Sequence, residues 1–98
     1  MDVEFADTNL DRLELDPDYN GGHGVEVVRA FRKRMQMIRA APDERSFYAM
    51  KSLHFEKLKG KRDHQRSMRL NKQGRLILEI KPGAAGNVAV IVAIEYYH

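Results

Sequence analysis

Residues 88–94 are apolar at every position, with valine, alanine or isoleucine on both faces of any strand they form. A strand with one wet face alternates, whereas a run without polar interruption reads as a central strand. The rest of the chain must then supply neighbours for its edges and a layer to cover it. Two further period-two segments precede it. In 75–80 the apolar positions form a strand, and in 67–70 Met68 and Leu70 share one face while Ser67, Arg69 and Asn71 share the other. Residues 71–74 (Asn-Lys-Gln-Gly) read as a hairpin turn, with Gly74 available for positive φ, and 82–87 as a second turn. Leu53, Phe55 and Lys57 alternate with His54, Glu56 and Leu58 until Gly60 breaks the run, which predicts another strand.

Upstream the period is helical. Val28, Phe31, Met35 and Ile38 recur as one face of a helix, with Arg29, Arg32, Lys33 and Arg39 lying away from that stripe. Pro42 stops it, and Ala41 is pushed from helical geometry by the proline that follows. Asp43 is placed to cap a further turn through Phe47 and Met50. Before the long helix, residues 2–6 alternate as a short strand, and Asp7 or Thr8 caps a helix through Leu10, Leu13 and Leu15. Asp16-Pro17-Asp18 ends that helix, and 20–24 form a glycine-rich connector. The expected fold is α+β: a short N-terminal strand and two to three helices packed on one face of an antiparallel β-meander. The basic side chains of the meander are expected on the other face. With 98 residues, 1–98 is one domain.

Charge is unevenly distributed. The net charge is +3, yet residues 1–22 hold seven acids and one base, and residues 59–75 hold seven bases and one acid. So dense a basic block suits a polyanion, of which nucleic acid is the commonest. There is no cysteine, which excludes a disulfide scaffold, a thiolate metal site and a thiol nucleophile. No apolar run is long enough for a membrane span, and the acidic start lacks the basic region of a secretory signal, so a cytoplasmic protein is expected.

Most catalytic constellations find no support. His23, His54, His64 and His98 form no metal-ligand pattern, no phosphate-binding glycine loop follows a strand, and Ser46, Ser52 and Ser67 lack a nucleophile elbow. No metal or cofactor is expected. What remains is Lys59, Arg69 and Arg75 on or beside the strands, with Tyr96-Tyr97-His98 at the end of the last one. Cleavage of RNA without a metal needs a base for the 2′-hydroxyl, an acid for the leaving 5′-oxygen and fixed cations for the phosphorane. Histidine serves either proton task, arginine and lysine hold the charge without titrating, and tyrosine stacks on a base or bonds to phosphate.

These residues carry a resemblance. Leu58-Lys59-Gly60, Arg62, Gln65-x-Ser67-Met68-Arg69-Leu70-Asn71, Arg75-Leu76 and the terminal Glu95-Tyr96-Tyr97-His98 resemble the HigB toxins of the RelE superfamily over about residues 53–98. The resemblance implies a RelE-like fold and a type II toxin that cuts mRNA in the ribosomal A site, leaving a 2′,3′-cyclic phosphate. It implies a helix-turn-helix antitoxin of the HigA kind as partner, besides the 70S ribosome and mRNA. Operator DNA would be reached only through the antitoxin complex. Carried onto this chain, the catalytic set is Lys59, Arg69, Arg75, Tyr97 and His98. His98 would be the main proton-transfer group, Arg75 with Lys59 would stabilise the phosphorane, Arg69 would hold the scissile phosphate and Tyr97 would position the nucleotide. Lys61, Arg62 and Arg66, with Arg29, Arg32 and Lys33 of the long helix, would grip ribosomal RNA. Three positions depart from the family pattern: Gly74 replaces a large aromatic, Arg66 a Trp or Tyr, and Tyr96 the acid before the terminal Tyr-His. The alternatives are a catalytically silent, ParE-like toxin that binds gyrase, and a plain RNA-binding regulatory module.

Overall fold

The apolar run lies where its composition demands. In the computed structural model, which describes residues 1–97, β5 (Gly86–Tyr96) is hydrogen-bonded on both sides. It runs antiparallel to β4 (Gly74–Gly83) and parallel to β1 (Asp2–Phe5). Beyond β4 come β3 (Arg66–Arg69) and the two-residue β2 (Glu56–Lys57), giving the order β1-β5-β4-β3-β2. The meander is antiparallel throughout and the N-terminal strand joins it parallel, so the sheet is mixed. A parallel neighbour needs a long crossover, and the helical half of the chain separates β1 from the meander.

A register shift in the β4–β5 ladder explains the missing alternation. Ile77 pairs with Ala93 but Leu78 pairs with Ile91, so Val92 is a bulge residue. The bulge lets Ile91 and Ile94 both face the helices. Those helices are α1 (Thr8–Leu15), α2 (Val25–Ala40) and α3 (Arg45–Ala49). Asp7 caps α1 by accepting from the Asn9 amide at 2.8 Å. Helix α2 buries Val27, Val28, Phe31, Met35 and Ile38, the expected stripe, and turns extended at Ala41 before Pro42. Leu10 and Leu13 of α1, Phe47 of α3, Leu53 and Phe55 complete a core against Met68, Leu70, Leu76, Leu78, Ala89 and Ile91.

Three local expectations change. The alternation over 53–58 is a strand only at Glu56–Lys57. Leu53 ends a 3-10 turn (Lys51–Leu53), and His54 follows in the left-handed region at φ 47°. Leu53 and Phe55 are both buried because that bend turns them back into the core, not because a strand alternates there. Gly74 does not have positive φ; a Cβ there would stand 2.9 Å from Asn71 Oδ1 and push aside the side chain that accepts from the Gly74 amide. The β4–β5 turn is tighter than 82–87, with the strands running to Gly83 and from Gly86.

Ile77 is fully buried although it lies outside the helix-side core, on the other face beside Ser67 and Ala93. The connection between β2 and β3, which includes a second 3-10 turn (Gly60–Arg62), is tied to this face. Arg62 reaches Glu95 of β5, and Gln65 reaches Glu79 of β4.

Candidate active site

The β3–β4 hairpin sets the geometry. The Asn71 side chain accepts from the Gln73 amide (3.2 Å) and the Gly74 amide (2.6 Å), holding the turn closed. The Asn71 carbonyl is left to accept from two guanidinium groups, Arg69 Nε at 3.2 Å and Arg75 Nη1 at 3.0 Å. Arg69 and Arg75 are direct cross-strand partners. Like charges opposite each other are unfavourable, so the shared carbonyl holds together two cations that would otherwise splay. Arg75 also donates to the Gly74 carbonyl (3.2 Å), and its Cζ stands 5.2 Å from the centre of the Tyr97 ring. Tyr97 is placed by its own amide, which donates to the Gln73 carbonyl at 2.8 Å. Arg69, Arg75 and Tyr97 are thus brought to one corner of the sheet.

Two groups not singled out from the sequence join them. His54 Nε2 lies 3.3 Å from Arg69 Nη1, placed to accept from that guanidinium. Its left-handed backbone is the sole positive φ outside glycine among the described residues. A non-glycine residue held there costs about 1–2 kcal/mol, and such strain clusters at functional sites. Arg34 donates from Nε to the Arg69 carbonyl at 3.1 Å, and burial pushes its pKa down. Arg34 left a sequence signal, since it follows Phe31 by three and precedes Ile38 by four. It therefore borders the buried stripe, whereas Arg29 and Lys33 face solvent. No signal in the sequence marks His54, because only the bend at Leu53 aims it at Arg69.

The remaining site residues divide. Lys59 and Lys61 are exposed on the β2–β3 connection. Arg62 is engaged: its Nη1 and Nη2 donate to the two Glu95 oxygens at 3.0 and 2.7 Å, and Nε donates to Gln65 Oε1 at 2.9 Å. The bond to Glu95 raises the Arg62 pKa, with burial opposing. Arg66 alternates with Ser67 onto the Met68 side, not the open face, and donates to the carbonyls of Asp63 and Gln65. Arg32 is a structural clamp, donating to the carbonyls of Leu13 (3.1 Å), Asp16 (2.9 Å) and Tyr19 (3.2 Å), which fastens α2 to the chain leaving α1. Arg29 and Lys33 line a shallow groove on α2 together with Arg34. His98 lies outside the described residues.

Tyr96, the residue in place of the family's acid, faces the helices. Its hydroxyl bonds His23 Nδ1 in the glycine-rich connector, the two rings are stacked at 5.8 Å, and burial raises the phenol pKa. Glu95, one residue earlier, faces the open side directly across from Arg75. Among the described residues no group of three or more His, Asp or Glu side chains could hold a metal ion, and no helix is long and apolar enough to cross a membrane.

Comparison with known proteins follows the same outline. The family described as "RelE-like toxin of type II toxin-antitoxin system HigB" matches residues 3–93. No curated protein matches the sequence. Among solved structures, the YoeB/ParE toxin from Agrobacterium tumefaciens is similar in fold, with a TM-score of 0.63 at 15% identity over 100% of both chains. The family match spans nearly the whole chain, from β1 into β5, and the chain belongs to the HigB-like toxins, the toxin components of type II toxin–antitoxin systems.

Proposed function

We propose that this toxin is a ribosome-dependent mRNA endonuclease. The observation that carries the reading is the pair Arg69 and Arg75, fixed side by side on the Asn71 carbonyl with His54 on Arg69. Two cations held rigidly beside each other are suited to a doubly charged phosphorane, because no reorganisation is needed when its charge develops. In the reaction a base takes the 2′-hydroxyl proton and the 2′-oxygen attacks phosphorus. The bond to the 5′-oxygen breaks and an acid protonates that oxygen, leaving a 2′,3′-cyclic phosphate and a 5′-hydroxyl. Arg75 and the exposed Lys59 stabilise the phosphorane, Arg69 holds the scissile phosphate, and Tyr97, stacked against Arg75, positions the nucleotide. The proton-transfer group is His98, on the strength of the family motif, and His54 orients Arg69 through their contact. Arg29, Lys33 and Lys61 meet ribosomal RNA. Arg32, Arg62 and Arg66 are spent on internal carbonyls and on Glu95. The partner that neutralises the toxin is an antitoxin of the HigA kind.

The test is primer extension on mRNA bound to programmed ribosomes. The wild-type protein should give discrete A-site cuts, and Arg75→Ala and His98→Ala should each lower their rate by about 100-fold or more, with an unchanged thermal melt. Undiminished cutting by both variants would show that the chemistry lies elsewhere. No cuts by folded wild-type protein would favour the gyrase-binding alternative.

A further inference from the structure

We propose that Arg62 is a positioning residue that keeps Glu95 from neutralising Arg75; this rests on the reading of Arg75 as an anion-binding cation. Glu95 and Arg75 are direct cross-strand partners on the face that carries the site. Side chains so placed are about 4.5–5.5 Å apart at Cβ, within reach of an ion pair. A carboxylate beside a free guanidinium ordinarily takes it, yet among the described residues no ion pair joins these two. Arg62 arrives from the β2–β3 connection and occupies both Glu95 oxygens in a two-pronged bond at 3.0 and 2.7 Å. Gln65 fixes the Arg62 side chain from behind at 2.9 Å, and is itself anchored to Glu79 at 3.2 Å. The planar guanidinium fork matches a carboxylate as no lysine could. Glu95 is thereby held on Arg62, while Arg75 is left with the carbonyls of Asn71 and Gly74, neutral partners that orient it without cancelling its charge.

Removing Arg62 would release a carboxylate directly across from Arg75. Glu95 would then compete with the RNA phosphate for the same guanidinium. A double-mutant cycle distinguishes this from the loss of one positive charge, because the damage should depend on both Glu95 and Arg75.

The experiment measures binding of a short fluorescent single-stranded 2′-O-methyl RNA, which cannot be cut, to the isolated toxin at low salt. Arg62→Ala should weaken binding about fivefold. Glu95→Gln alone should bind as well as wild type or better, and Arg62→Ala with Glu95→Gln should recover wild-type affinity. In an Arg75→Ala background, Arg62→Ala should change little. Thermal melts of all variants accompany the series, since a merely structural Arg62 would lose stability in step with affinity and would not be rescued by Glu95→Gln. The proposal is overturned if Arg62→Ala binds like wild type, if the loss persists without Arg75, if Glu95→Gln fails to rescue it, or if the wild-type protein takes no RNA. The probe involves neither ribosome nor cleavage. A toxin that shows the cycle but cuts no mRNA would sink the nuclease reading and leave this one standing. Normal A-site cutting with no cycle would do the reverse.

Discussion

Asn71 and His54 show how single residues set the site. Asn71 uses its side chain on the turn and its carbonyl on two arginines, so the hairpin and the anion site share one residue. His54 is held at φ 47° and spends its imidazole on Arg69. Strain of that kind is relieved by glycine, which takes positive φ without a Cβ penalty. The variant His54→Gly should therefore be more stable than His54→Ala by up to about 1–2 kcal/mol, while both cut ribosome-bound mRNA more slowly than wild type. Chemical denaturation and primer extension on the same preparations check this. Full activity in both variants would show that His54 does not orient Arg69 for the reaction.

At the scale of elements, α2 is the keel. Phe31 is 0% exposed at the centre of its buried stripe. Phe31→Ala should cost about 3–5 kcal/mol, read as a large fall in the thermal midpoint. The glycine-rich connector into α2 is pinned at its far end by the His23–Tyr96 contact. Burial favours the neutral Tyr96 phenol, so its folded pKa lies above the unfolded value. The contribution is complete below the ordinary tyrosine pKa of about 10 and is lost as pH climbs through the raised value. Unfolding followed from neutral to alkaline pH should show this loss in the wild type and lack it in Tyr96→Phe. Identical alkaline profiles would mean that the hydroxyl is not held. Tyr96 thus has a task on the helix side of β5, while Glu95 and Tyr97 serve the open side, as strand alternation requires.

Over the whole molecule, the sheet has a helix-covered face and an opposite face to which the β2–β3 connection is tied, and the site lies at the end of the β3–β4–β5 meander. Arg75 and Arg69 share a neutral carbonyl rather than an acid, so RNA affinity should fall with salt. Each phosphate contact on single-stranded RNA contributes about −0.7 to the slope of log affinity against log salt. Arg75→Ala should make that slope shallower by about this amount, measured by titrating the uncut RNA at several salt concentrations. An unchanged slope would mean that Arg75 touches no phosphate.

Patterns local in sequence determined a great deal. The period-3.6 stripe of α2, the stop at Pro42, the Asp7 cap and the 71–74 turn follow from residues near one another in the chain. The alternation of Ser67 and Arg69 with Met68 and Leu70 put Arg69 on the face away from the helices, while Arg66 falls on the helix side. What the sequence alone could not decide was which charges stay free. Arg32, Arg62 and Arg66 look like any other bases in a list. Their partners lie up to 33 residues away or are backbone carbonyls, which have no letter in a sequence. The same holds for His54, whose meeting with Arg69 depends on one left-handed bend and on β3 docking beside it. Local periodicity specifies which face a side chain occupies because the backbone repeats. Long-range contacts specify what that side chain meets, and only the assembled sheet, with its bulge and its tied-down β2–β3 connection, could decide that.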